Sequence, residues 1–123
     1  AKFGLEAYAA RPVSELPGGV RKLLDIAMAL VRKPKVLLLD EPTSGVSVEE
    51  KFPLMDTVMA ALSTEDVTVI FVEHDMDIVT RYAARVLAFY QGRVIADDDP
   101  SEVLSDEAVQ RYVTGTLKKE AAS

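Results

Sequence analysis

Val36-Leu37-Leu38-Leu39-Asp40-Glu41-Pro42-Thr43 decides the fold. Four consecutive apolar residues closed by two acids and a proline are too short for a helix and show no alternation, so they predict a buried strand over 36–40. The two carboxylates stand at its C-terminal end. In open α/β sheets ligands bind beyond the carboxyl ends of the strands, so Asp40 and Glu41 fall where a site is expected.

On the N-terminal side, Val20, Leu23, Leu24, Ala27, Leu30 and Val31 recur at helical spacing with Arg21, Lys22, Asp25 and Arg32 between them, predicting an amphipathic helix from Pro17 to Lys33. Pro17 suits its first turn, Pro34 disfavours helix at Lys33, and Gly18-Gly19 leave first-turn N–H groups open to a phosphate. Before it, Phe3 to Ala10 is a helix-like run. On the other side, Ser47-Val48-Glu49-Glu50 is a capping box opening a helix to about Leu62, with Pro53 inside it. Val67 to Val72 is a second strand, followed by Glu73-His74-Asp75 and a helix to about Ala84. His74 thus falls at the same sheet edge as Asp40 and Glu41. Val86 to Tyr90 and Arg93 to Ala96 flank Gln91-Gly92 as a hairpin, Asp99-Pro100-Ser101-Glu102 caps a short helix, and Ala108 to Thr114 forms another. The alternation predicts one α/β domain over 1–123, with parallel strands 36–40 and 67–72 joined by a right-handed crossover.

Composition narrows the function. The chain has 123 residues with 14 Lys and Arg against 20 Asp and Glu, a net charge of -6 that provides no basic field for nucleic acid. Apolar residues at 49% and charged ones at 28% describe a folding chain. The absence of cysteine excludes a disulfide framework, a zinc ribbon and a thiol nucleophile, and no apolar run is long enough to span a membrane. A cytoplasmic location is the default expectation. The chain starts on Ala1 and enters the Phe3–Ala10 run with no start signal, which suggests an N-terminal truncation.

An Asp-Glu pair at a strand end suits a hard cation held by one carboxylate beside a nucleophile oriented by the next. Asp97-Asp98-Asp99 invites a calcium reading, but a loop leading to a capped helix explains it better.

Together these stretches resemble the C-terminal half of an ABC transporter ATPase subunit, a partial P-loop NTPase core. Leu16-Pro17-Gly18-Gly19-Val20 is similar to the signature motif, Val36 to Thr43 to the Walker B strand with its catalytic glutamate, Ser44-Gly45-Val46-Ser47 to the D-loop, and Glu73-His74-Asp75 to the switch-histidine segment. Within the family, Glu73 to Val79 and the Leu16-Pro17 start look most like the branched-chain amino-acid importers. The resemblance implies that Asp40 holds Mg²⁺, Glu41 polarises the water attacking the γ-phosphate of ATP, and His74 donates to that phosphate. It implies that Pro17, Gly18 and Gly19 face a nucleotide held by a second ATPase subunit in a head-to-tail dimer, with Ser47 at the dimer interface. A transmembrane permease would be contacted through a missing part, placing the subunit at the inner face of the membrane. The alternative is a stand-alone docking or regulatory module without ATPase activity.

This sequence departs from the family pattern at three positions: Pro17 replaces the signature serine, Val20 the usual glutamine, and Ser47 the D-loop aspartate. None of its 6 glycines is followed by lysine, so the Walker A loop is absent and this stretch alone is expected to be inactive. In the family the Walker A strand lies beside the switch-histidine strand, so the outer edge of 67–72 needs another cover. Either the hairpin at 86–96 shifts over, or a second chain supplies an element; the second is favoured.

Overall fold

The computed structural model describes residues 2–116, which divide into two compact units with the boundary between Glu73 and His74. In the first unit, β1 (Val36–Asp40) and β2 (Thr68–Val72) pair in parallel, in register from Val36 opposite Thr68 to Asp40 opposite Val72. The helix α1 (Gly18–Leu30) precedes them and α2 (Val48–Leu62) forms the crossover. Ile26 of α1, Leu37 of β1 and Leu54, Val58 and Leu62 of α2 make one buried cluster, with Leu23, Leu39 and Val69 packed against it. Both helices therefore cover the Leu37 face of the strands.

The opposite face is bare. Val36, Leu38, Ile70 and Val72 are 52%, 72%, 50% and 54% exposed, so the strand expected to be buried is covered on one face only. The cause is the number of layers: α1 and α2 lie on the same side, and the described residues of this unit form no second helical layer. Among the described residues β2 pairs with β1 alone, and the hairpin forms a sheet of its own.

Local signals account for most boundaries, and their failures are instructive. Phe3–Ala10 gives no α-helix but a single 3₁₀ turn at Glu6–Tyr8, followed by another at Val13–Glu15. Gly4 with φ +64 precedes the first turn and Pro12 the second, both unfavourable to a continuous helix. Pro17 is the N-cap of α1 rather than a first-turn residue, and the helix stops at Leu30, three short of Lys33, which turns left-handed at φ +49. The expected capping box at Ser47 forms differently. Its hydroxyl donates to the Glu50 carboxylate at 3.1 Å and caps no backbone N–H, while the Glu50 amide bonds the Ser47 carbonyl.

In the second unit α3 (Met76–Tyr82) is capped by Asp75, whose carboxylate accepts from the Asp77 and Ile78 amides at 3.0 and 3.4 Å. It ends two residues before the expected Ala84. The antiparallel hairpin pairs β3 (Val86–Tyr90) with β4 (Arg93–Asp98), two residues longer than expected, through Gln91 (φ +48) and Gly92 (φ +75). Two positive φ values in a two-residue loop are the type I′ pattern that matches strand twist. A bulge between Ala88 and Phe89 leaves Ile95 unpaired in the register. The helices α4 (Pro100–Ser105) and α5 (Glu107–Tyr112) close over it, burying Ala88, Val103 and Val109, and the Tyr90 and Tyr112 rings stack at 4.8 Å.

Candidate functional site

The carboxyl ends of β1 and β2 are joined beyond their ladder. The Glu41 amide donates to the Val72 carbonyl at 2.8 Å, adding one bond after the last paired residue. There the chain leaves the strand abruptly, because Glu41 takes φ +47, a left-handed conformation costing an L-residue roughly 1–2 kcal/mol. A residue before proline is normally held extended, which makes the conformation doubly unusual. The Glu41 carbonyl then accepts from the Ser44 amide at 3.0 Å, closing a turn over Pro42 and Thr43, both buried. Asp40 is exposed at the strand end and Glu41 half-buried beside it.

From the end of β2, Glu73 reaches back to this turn. Its Oε1 accepts from the Thr43 hydroxyl at 2.6 Å and from the Thr43 amide at 3.2 Å. Thr43 is only 8% exposed, so this carboxylate satisfies a largely buried hydroxyl and amide. Sequence reading gave neither residue a role of its own. The available signal was a polar residue three positions past the end of β1 and one position past the end of β2, meaningful only once the register of β1 on β2 is known.

The signature-like segment opens α1. Leu16 is buried at 7%, while Arg21 folds back to donate from Nε to the Leu16 carbonyl at 3.1 Å and from Nη2 to the Ser14 carbonyl at 3.2 Å. This braces the chain entering the helix. Pro17 makes no side-chain cap to the first-turn N–H groups, and among the described residues no atom beyond the chain neighbours and the helix's own backbone lies within 4 Å of where a Cβ on Gly18 or Gly19 would stand. The backbone is open to an approaching anion, with the positive helix end behind it.

Ser47, exposed, stands at the N-cap of α2. His74, also exposed, begins the second unit one residue before the Asp75 cap. The structure thus ties Glu41 to Val72 and Thr43 to Glu73 within one unit and places Asp40 at the adjoining strand position. Among the described residues no three carboxylate or imidazole groups gather to hold a metal by themselves. A single exposed carboxylate is nevertheless a fitting donor set for Mg²⁺, which keeps waters and takes its other ligands from substrate phosphates.

The acidic run at 97–99 is used up locally. Arg85 donates twice to Asp97, each time at 2.7 Å, Asp98 accepts from the Asp99 amide at 2.8 Å, and Asp99 caps α4. The guanidinium holds the Asp97 carboxyl below its ordinary value, and the Ser101 hydroxyl with the Glu102 amide does the same for Asp99.

Known proteins share this fold. Residues 1–44 match the family model for ABC transporters. The chain is 35% identical over 107 residues to a putative ABC transporter ATP-binding protein of Onion yellows phytoplasma, covering 87% of this chain and 18% of that one. It is 33% identical over 120 residues to the energy-coupling factor transporter ATP-binding protein EcfA of Methanothermobacter thermautotrophicus, covering 98% of this chain and 38% of the relative. Among solved structures, MJ1267, an ATP-binding cassette of an ABC transporter, superposes with a TM-score of 0.79 at 30% identity, over 89% of this chain and 45% of that one. CbiO1 of Clostridium perfringens, part of the ABC transporter complex cbiONQ, gives 0.78 at 35% identity, over 89% and 44%.

The fold is therefore that of an ATP-binding cassette. Over the stretch they share, the chain is similar in sequence and fold to ABC transporter ATP-binding subunits, and it spans less than half the length of these relatives.

Proposed function

We propose that the chain forms part of an ATPase subunit that hydrolyses Mg-ATP to drive import of a solute. The observation that carries this reading is the carboxyl end of β1, where Asp40 and Glu41 are presented side by side and the Glu41 backbone is left-handed, with both its amide and its carbonyl hydrogen-bonded. Asp40 is the residue to hold Mg²⁺, which when bound neutralises charge on the phosphates. Glu41 orients the attacking water and accepts its proton. His74 donates to the γ-phosphate. Gly18 and Gly19, after Pro17, offer open amides to a nucleotide carried by a second subunit, with Ser47 near that head-to-tail interface. Since Pro17 has no hydroxyl, backbone amides supply the whole signature contact.

A permease is the expected membrane partner, and a position against the inner membrane face follows. Among the described residues no helix is long and apolar enough to cross a membrane. Branched-chain amino acids are the proposed cargo, on the likeness of Glu73 to Val79 to those importers. Matched relatives are named for other cargo, including the phosphonate import protein PhnC of Nitratidesulfovibrio vulgaris and a probable siderophore transport protein of Bacillus subtilis.

The test uses a chimera in which the remaining length of the EcfA relative is joined to residues 1–123. The chain alone is expected to show no ATP turnover, because it contains no Gly-Lys phosphate loop. The chimera is expected to hydrolyse ATP, and Glu41→Gln to slow it by orders of magnitude while Mg-ATP binding by calorimetry is unchanged. Equal rates for Glu41→Gln and its parent would remove Glu41 from the role.

A further inference from the structure

We propose that Glu73 is a positioning residue for Glu41, acting through Thr43; the functional part of this inference rests on the reading of Glu41 just given. Three observations carry it. Glu41 holds φ +47 although it is neither glycine nor asparagine and stands before a proline. Such a conformation persists only where its surroundings over-determine it. The turn that contains it, from Glu41 to Ser44, is fastened at two points, to the last residue of β2 and to the residue after it: the Glu41 amide on the Val72 carbonyl, and the Thr43 amide and hydroxyl on Glu73 Oε1.

The two fastenings differ in kind. The Val72 bond continues the strand ladder and fixes only where Glu41 begins. The Glu73 bonds lie beyond Pro42 and fix where the turn must arrive. Held at both ends, the chain has too little length to relax Glu41 into the extended region without pulling Thr43 off the carboxylate. Thr43 is nearly buried, so releasing it would leave a hydroxyl and an amide without their acceptor. Glu73 thereby sets the direction in which the Glu41 side chain leaves the strand end. It touches no reacting atom in this scheme and acts on the reaction solely through the Glu41 backbone.

Three substitutions, Glu73→Ala, Glu73→Gln and Thr43→Val, test this in two settings. In residues 1–123 themselves, nuclear magnetic resonance reads the Glu41 amide-to-α-proton coupling, which reports φ, and the exchange rate of the Thr43 amide. Glu73→Ala is expected to move the Glu41 coupling to the extended value and to speed Thr43 exchange by about ten- to hundredfold, the loss of a bond to a charged acceptor. Glu73→Gln retains an acceptor oxygen and is expected to keep φ near its parent value. Thr43→Val, which loses the hydroxyl bond and keeps the amide, is expected to lie between them. An unchanged Glu41 coupling in Glu73→Ala would overturn the proposal.

In the chimera, Glu73→Ala is expected to lower kcat with KM for ATP unchanged, and Glu73→Gln to recover most of the loss. An unchanged kcat with φ released would overturn the positioning role. A parent chimera that binds Mg-ATP without hydrolysing it would overturn the reading of Glu41, while the resonance measurements would still decide whether Glu73 holds its backbone.

Discussion

At Glu41 the backbone conformation and the side chain pull in opposite directions, and that conflict can be measured. Left-handed φ costs an ordinary residue roughly 1–2 kcal/mol, whereas glycine adopts it freely but loses about 0.5–1 kcal/mol through a more flexible unfolded chain. Glu41→Gly is therefore expected to raise stability by about 0.5–1 kcal/mol in urea unfolding while abolishing hydrolysis in the chimera. A loss of stability on Glu41→Gly would mean that the glutamate side chain contributes more than its backbone costs. Asp40 and Glu41 were legible because they follow an uninterrupted apolar run, a purely local signal. The bond from Thr43 to Glu73 was not, because it spans 30 residues and exists only when β1 and β2 pair in this register. Nor was the positive φ, since Pro42 argues for an extended residue before it.

Among the elements, capping separates what reads cleanly from what does not. Asp75, Asp99 and Asp106 each accept from backbone amides at the start of a helix, while Ser47, followed by the same kind of acidic first turn, spends its hydroxyl on Glu50. A short serine hydroxyl can donate or accept, and a neighbouring carboxylate outcompetes an amide for it; an ionised aspartate can only accept. The Asp97 and Asp99 caps and pairs make the second unit acid-sensitive. Both carboxyls lie below their unfolded values, so their contribution is complete above the unfolded value and is lost as pH falls through the folded one. Stability of this unit is expected to fall below the ordinary carboxylate range, and Asp99→Asn to flatten that fall; an unaltered acid profile for the variant, followed by circular dichroism, would count against Asp99. In α2, Pro53 is exposed and can give no N–H to the Glu49 carbonyl. Pro53→Ala is expected to stabilise the chain by about 2–2.5 kcal/mol, the helix penalty of proline less its restriction of the unfolded chain. Chemical denaturation checks it, and a neutral or negative change would show that Pro53 itself contributes to the packing of Leu54 and Met55.

For the molecule as a whole, the helix–strand alternation was enough to give α/β with a parallel pair, because periodicity and turn chemistry are local. How many layers cover that pair is a global property, and there the expectation of a buried β1 met a sheet with one dry face and one wet one. Parallel strands ordinarily have both faces covered. Here Leu38 lies opposite Ile70 in the ladder, and both side chains stand on the exposed face with Val36 and Val72. Contiguous apolar surface beside an unpaired strand edge drives association between copies. Residues 1–123 are thus expected to self-associate, with apparent mass by light scattering rising with concentration. Replacing Leu38 and Ile70 together by threonine keeps β-branched or strand-compatible residues while removing most of the apolar face. Because both positions are at least half exposed, the double variant is expected to change unfolding free energy by less than about 1 kcal/mol, yet to scatter as a monomer over the same concentrations. If the variant associates as strongly as its parent, the face formed by Leu38 and Ile70 does not drive the contact, and the outer edge of β2 or the exposed Leu87 and Phe89 of the hairpin must do so instead.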